Sequence, residues 1–356
     1  MILLRSESLK SLVAQIFLGA GSKKIEANAI AENLVTANLM GHDSHGVHLV
    51  LRYVETALGG RLTVNGHVQV ILDNDTFLLL DGGMAYGQVV GAQAMEHGIS
   101  KARQFGTSIV GLRNVHHLGR IGAWGELCAE AGLISIHYVN AAGHPPLVAP
   151  FGGADARFST NPYCTAFPAT NGSPSIVLDM ATSRVAMGKV VVAYNKGESA
   201  PEDSLIDANG DPSNDPAVMF SDPPGALRSI GLHKGYGLAV VCEILAGALT
   251  GGGTAKPDLF GLDTIRNNML SILIDPSRLG ERDDFSSEVE AFKEWMKGSP
   301  SAPGADGVMM PGEPERKTFV SRVSNGIPVD EETWQQVVKA GLAVGLEKTH
   351  IERVIQ

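Results

Sequence analysis

Ser108-Ile109-Val110-Gly111-Leu112-Arg113-Asn114-Val115-His116-His117-Leu118-Gly119-Arg120-Ile121-Gly122 is the stretch on which the fold turns. Its first five residues form an apolar run that reads as a strand, and the segment from Ile121 to Ala131 reads as a helix. A strand passing into a helix is where a doubly wound dinucleotide-binding chain carries Gly-x-Gly-x-x-Gly, and this junction lacks it. There is no Walker A loop either. Gly19-Ala20-Gly21, the partial match, lacks the third glycine and follows a helical pattern. The junction instead offers two histidines, a glycine–arginine pair and the backbone amides of a helix start, which suit an anion.

Outward from this unit, strands are expected at Val68–Leu72, Thr76–Asp81, Leu133–Val139, Cys164–Pro168, Ser175–Leu178 and Leu270–Ile274, with a helix over Val89–Phe105. Towards the ends the apolar spacing becomes helical. Leu9, Leu12, Val13, Ile16 and Phe17 form one such stripe, and Ile25 to Met40 carries a second. A third helix is read through Leu49–Leu58, closed by Gly59-Gly60, and others near Gly235–Leu249, Ser287–Met296 and Asp330–Leu346. Asn195 to Ser221 reads as a long irregular excursion of the kind that serves as a functional loop or interface arm. The pattern predicts an α/β (α+β) fold with a mixed sheet. Residues 1–66 begin a helical domain, 67–232 form the mixed α/β domain, and 233–356 return to the helical domain while contributing strand to the sheet.

Composition excludes several classes. The chain has 356 residues and a formal net charge of −10, which disfavours nucleic acid and anionic membrane surfaces. Three scattered cysteines make neither a disulfide framework nor a zinc cluster, and no metal is expected. No apolar run reaches the ~18–20 residues that span a bilayer, and MILLRSESLK has no signal-peptide core, so a cytoplasmic location is expected. The 42 glycines exceed the usual ~7% and suggest backbone approaching a ligand.

Histidine is the candidate chemical group. Eleven are present, with His42, His45 and His48 on one turn, His116 and His117 adjacent, and His233 beside Lys234. Each cluster competes with a plainer reading as a helix cap or core histidine. Asp43-Ser44-His45-Gly46 places a hydroxyl beside an imidazole at a helix junction, but no Gly-x-Ser-x-Gly elbow points to a serine hydrolase. Lys234 in the first turn of a helix is unfavourable for the helix dipole unless it meets an anion.

Asp43-Ser44-His45-Gly46, Asn114-x-x-His117-x-Gly119, Thr160-Asn161-Pro162, Asp179-Met180-Ala181-Thr182-Ser183, His233-Lys234-Gly235 and Pro311-Gly312-Glu313 occur in this order. Together they resemble the malate/L-lactate dehydrogenase family of non-Rossmann nicotinamide oxidoreductases over nearly the whole chain. Gly41–Gly46, Val115–Gly122 and Phe158–Cys164 most resemble its hydroxycarboxylate dehydrogenase B branch. The resemblance implies a helical domain beside a mixed-sheet cofactor domain, NAD or NADP as cofactor, and a homodimer with the cofactor near the interface. His45 would donate a proton to the substrate carbonyl, assisted by Ser44, with His117 in the same cleft. Gly119, Arg120, Ile121, Thr160, Leu178, Asp179, Met180, Ala181, Thr182, His233, Lys234, Asn267, Gly312, Glu313, Pro314 and Glu315 would surround the cofactor.

Two departures bear on the substrate. Many members carry an arginine five residues after the serine, where this chain has Leu49; His48 and Arg52 are the remaining candidates for a carboxylate clamp. The imine-reducing branch carries an aspartate where this chain has Lys189, a further substrate-side candidate, which disfavours a cyclic imine. The expected reaction is hydride transfer between NAD(P)H and a small 2-oxo acid, giving a 2-hydroxy acid. A piperideine-2-carboxylate type reductase and a non-catalytic ligand-binding protein are the alternatives.

Overall fold

The stripe Leu9, Leu12, Val13, Ile16 and Phe17 is buried along one side of a helix, as the spacing requires. In the computed structural model, which describes residues 1–258 and 264–353, the chain begins with β1 (Ile2–Leu4), α1 (Ser6–Gly19) and α2 (Lys24–Leu39). Two short 3₁₀ turns, Asp43–His45 and Val47–Leu49, lead to α3 (Val50–Leu58). The mixed body follows as β2 (Gln69–Asp73), β3 (Phe77–Asp81), α4 (Gly87–Phe105), β4 (Thr107–Val115), α5 (Gly122–Glu130), β5 (Ile134–Ala142), β6 (Tyr163–Phe167) and β7 (Ile176–Met180). After α6 (Met187–Lys196) come the short strands β8 (Leu205–Ile206), β9 (Pro212–Ser213) and β10 (Ala226–Leu227). Next is α7 (His233–Cys242), which continues into a π-helical turn at Glu243–Ala248. The chain closes with β11 (Arg266–Ile274), α8 (Arg282–Lys297), α9 (Glu313–Asn325), β12 (Ile327–Val329), α10 (Glu331–Ala343) and α11 (Lys348–Glu352).

Seven strands form one sheet in the order β2-β3-β4-β11-β5-β6-β7. Only β3 and β4 are parallel, joined by the crossover helix α4; the other neighbours are antiparallel. That is a mixed sheet, not a doubly wound one. β11 arrives from about 120 residues further along the chain and sits between β4 and β5, so Asn267 pairs with Val115 on one side and Ala141 on the other. α4 and α5 contribute Val90, Met95 and Trp124, and the sheet Leu112 and Met269, to one core, each side chain worth ~1.5–3 kcal/mol of burial.

A second core joins the two ends of the chain. Leu4, Phe17, Leu34 and Tyr53 pack with Ile327, Trp334, Val337 and Ile351, while β1 pairs with β12. A third, smaller core under β8, β9 and β10 gathers Val148, Phe158, Leu205 and Leu227.

The structure corrects three sequence readings. The excursion at Asn195–Ser221 is not wholly irregular, because it supplies β8 and β9 of the small sheet. Asp330–Leu346 is not one helix. It ends at Ala343, and Gly345 at φ +87° makes a turn before α11. α9 was not expected at all, because Glu313–Asn325 has no fully buried residue and so no apolar stripe to read. Its start is set instead by Gly312 at φ +89°, by Pro314 in the first turn, and by Glu313 accepting the Met310 amide at 3.0 Å.

Candidate active site

The turn that carries Ser44 and His45 lies where α2 ends, and its shape is dictated by Asn38. The Asn38 side chain accepts the Val47 amide at 2.8 Å and donates to Asp43 at 2.6 Å. A Cβ at Gly46 would lie 2.2 Å from Asn38 Oδ1, so only glycine fits there. Arg322 of α9 grips Asp43 through two nitrogens, at 2.6 and 3.0 Å. The turn is thus held from both sides.

The second wall is the junction after β4. Asn114 adopts φ +53°, His116 N–H donates to Ala85 O at 3.1 Å, and Leu118 N–H donates to Asn267 Oδ1 at 2.8 Å. Gly87, at the start of α4, lets the chain pass: a Cβ there would meet His117 O at 2.3 Å.

These two walls bring His45 and His117 together from 72 residues apart, their rings stacked at 5.6 Å with 21° between planes. Ser44 Oγ lies 3.1 Å from His45 Nδ1, leaving Nε2 for a reactant. Tyr53 OH lies 2.6 Å from His117 Nδ1, and Gln88 Nε2 lies 3.1 Å from the same hydroxyl. Burial pushes His45 down to about 4, helped by His42, His48 and Arg120. His117 is lowered further in the same direction, by burial and then by His45, His116 and Arg52. Both imidazoles are therefore neutral near pH 7 until a negative charge enters the site. His116 is fully buried with neither ring nitrogen hydrogen-bonded among the described residues, and burial pushes it down to about 3. It is a core residue packed on Tyr53 and Tyr86, not a partner in the cleft.

Arg52 is exposed on α3, and its charge acts on His48, His116, His117 and His144. His48 donates from Nδ1 to Asp43 O at 3.0 Å, and with Arg52 it lines a cleft of about 460 Å³. Lys189 is exposed in the first turn of α6, beside Gly188, whose Cβ position is 3.6 Å from Ser44 Cβ. His144 was missed by sequence reasoning. It is a lone histidine in Gly143-His144-Pro145-Pro146, and only the fold carries that loop to Arg52.

The residues expected on the cofactor side fall into two groups. Thr160, Thr182 and Ile230 lie side by side, since Thr182 donates twice to Thr160 O (2.9 and 3.0 Å) and accepts from Ile230 N. From there the chain enters α7, with His233 and Lys234 exposed at its N-terminus. Pro311 O accepts the Val177 amide at 3.2 Å, which sets Gly312–Glu315 beside the strand carrying Leu178, Asp179 and Met180. Glu315 faces His42 at 3.5 Å, and its Oε2 is buried without a partner among the described residues.

The other group turns inward. Arg120 is 3% exposed and pairs with Glu126, with Asp179 also close. Asp179 accepts the Gly122 amide at 2.7 Å, so the helix start that seemed open to an anion already holds this carboxylate. Burial raises the Asp179 carboxyl, and Arg120 opposes that rise. Asn267 uses its oxygen on Leu118 and its nitrogen on Asn140 O at 3.1 Å. Glu313 pairs with Lys297 and caps α9.

A dinucleotide fits the first group. An orphaned buried carboxylate oxygen suits a ribose hydroxyl or amide N–H, and an exposed lysine at a helix N-terminus suits a diphosphate. Among the described residues no group of three or more His, Cys, Asp or Glu is placed to hold a metal ion, and no helix is long and apolar enough to cross a membrane.

Known proteins match this chain over most or nearly all of its length. Hydroxycarboxylate dehydrogenase B of Escherichia coli (strain K12) is 42% identical over 353 residues, covering 99% of this chain and 97% of that protein. L-lactate dehydrogenase of Cupriavidus necator is 42% identical over 312 residues, covering 87% and 89%. The solved structure of an E. coli protein described as a malate/lactate dehydrogenase superposes with a TM-score of 0.94 at 41% identity, covering 99% of this chain and 98% of that one. The malate/L-lactate dehydrogenase family model matches residues 4–338, and with these relatives it shows the family: the chain is a member of the malate/L-lactate dehydrogenases.

Proposed function

We propose that this chain is a nicotinamide-dependent 2-hydroxycarboxylate dehydrogenase that interconverts a 2-oxo acid and its 2-hydroxy acid. The observation that carries the reading is the Ser44–His45 pair, stacked on His117 in a desolvated pocket of a chain from this family. A bound NAD(P)H would supply the hydride for the carbonyl carbon. His45 delivers the proton to the carbonyl oxygen from Nε2, and in the reverse direction the same nitrogen takes it from the hydroxyl. Neutral His45 is the form that accepts a proton. A substrate carboxylate entering the low-dielectric pocket favours the imidazolium, which is the form that donates one.

Arg52 holds the substrate carboxylate, with His48 and Lys189 as further contacts. The cofactor lies along Gly119, Ile121, Thr160, Leu178, Met180–Thr182, His233, Lys234, Gly312, Pro314 and Glu315, with Asp179 and Glu313 engaged by protein partners behind it. Arg120 and Asn267 act from behind, holding the backbone that lines it. The alignment of both reactants on one carbon supplies much of the rate. The apolar side chains Val320 and Val323, exposed on α9, support a homodimer with the cofactor near the interface, and three free buried cysteines suit a cytoplasmic protein.

A panel of 2-oxo acids with NADH and NADPH, followed by nicotinamide absorbance, tests the proposal. Turnover of at least one 2-oxo acid is expected, and the panel also ranks the two cofactors. Turnover of piperideine-2-carboxylate alone, or binding of neither cofactor in titration, would overturn it.

A further inference from the structure

We propose that Tyr53 and Gln88 are positioning residues that lock His117 in its neutral Nε2–H tautomer, so that it meets the substrate as a hydrogen-bond donor. This rests on the placement of His117 at the substrate, as read above.

The direction of each hydrogen bond follows from its neighbours. Gln88 Nε2 lies 3.1 Å from Tyr53 OH and 3.4 Å from the His117 carbonyl oxygen. Reversing the amide would set two carbonyl oxygens against each other, so Gln88 donates to the phenol oxygen. Tyr53 is fully buried, and His117 Nδ1, at 2.6 Å, is the acceptor that the described residues offer to its proton. The opposite arrangement, with His117 donating from Nδ1, would leave a buried hydroxyl proton with nowhere to go. Nδ1 therefore accepts, and the imidazole proton sits on Nε2.

Two features keep the lock closed. Burial holds the Tyr53 phenol well above its usual range, so it stays a donor. The charged and titratable groups facing His117 are His45 and His48 from the turn, Arg52 from α3 and the adjacent His116, and all of them disfavour a second proton on the ring. The neighbouring His116 shows the contrast. Among the described residues it has no partner on either nitrogen and so no hydrogen bond that selects a tautomer.

The lock separates two stacked imidazoles by role. His45, assisted by Ser44, exchanges its proton with the reactant, while His117 keeps a fixed donor beside it and does not compete as a base.

Imidazole 15N NMR of histidine-labelled protein, assigned with His117→Gln, reads the tautomer directly. In the wild type Nε2 of His117 is expected to carry the proton. Tyr53→Phe should give a mixture of tautomers. Gln88→Glu should invert the relay, because the phenol then donates its hydrogen bond to the carboxylate and its oxygen accepts from Nδ1. Both variants should lose about ten- to a hundredfold in kcat while keeping cofactor affinity. A wild-type His117 protonated at Nδ1, or a tautomer unmoved in both variants, would overturn the lock. A flipped tautomer with unchanged kcat would overturn the positioning role and the placement of His117 at the substrate, leaving the assignment of His45 intact.

Discussion

Two polar clusters sit on either side of the junction after β4, and they differ in completeness. In the first, Asn268 accepts from Asn114 N–H at 2.9 Å and donates to Asn140 Oδ1 at 2.9 Å, while Asn140 donates to Glu243 at 3.0 Å. Asn161 completes it, donating to the other Glu243 oxygen at 2.9 Å. Even the glycines are fitted to it, since a Cβ at Gly252 would fall 1.8 Å from Asn268 Oδ1. In the second cluster, Ser44, His45 and His117 have donors and acceptors left over at the cleft, and Glu315 Oε2 has no partner among the described residues. Half-buried side chains with spare donors and acceptors at a cleft suit a ligand, as does the orphaned Glu315 oxygen, whereas a closed network serves to hold the backbone.

Substitutions can break this contrast, and the largest effect belongs to the open cluster. His45→Ala should lower turnover by about 10²–10⁴ with cofactor affinity retained, as steady-state kinetics and nicotinamide titration would show. Turnover near the wild-type rate would remove His45 from the chemistry. Next, Asn268→Ala should cost about 2–4 kcal/mol in urea denaturation, because it strands the Asn114 amide and Asn140 Oδ1. If the folded fraction of that variant also lost its cofactor affinity, the closed cluster would not be purely structural.

Arg52→Leu should raise KM for the 2-oxo acid by about ten- to a hundredfold with a smaller change in kcat, the signature of a lost charge-assisted contact. An unchanged KM would return the clamp to His48 or Lys189.

The smallest effect near neutral pH concerns stability. His116 and His137 are each pushed by burial from 6.5 to about 3 in the folded protein, so folding favours their neutral forms. The unfolded chain binds more protons below its own value of 6.5, so this stability is complete above that pH and is lost as pH falls towards 3. From about pH 7 to pH 6 the loss is on the order of 1 kcal/mol or less for each histidine, measurable as a falling denaturation midpoint.

Much of the architecture was legible because the strands of the sheet are apolar runs and the outer helices carry stripes. The helical stripe of α1, the strand at β4 and the turn Asp43–Gly46 stand where their residues suggested. α9 could not be read, since a helix with no buried residue leaves no periodicity. Tyr53, Gln88 and His144 were invisible for another reason. Their sequence neighbours are ordinary, and their meaning comes from contact across the fold, as Tyr53 OH with His117 Nδ1 shows across 64 residues.

By itself the sequence determined the class of fold, the absence of a Rossmann loop and the ordered motifs that mark the family, all carried by local composition and spacing. Tertiary structure decided which way the motif side chains face. Arg120 and Asn267 look alike in the chain as polar residues beside a cofactor, yet the first is drawn inward towards Glu126 and Asp179 and the second ties Leu118 to a strand 149 residues away. A side chain's direction depends on which partners the fold delivers to it, and those partners lie far along the chain.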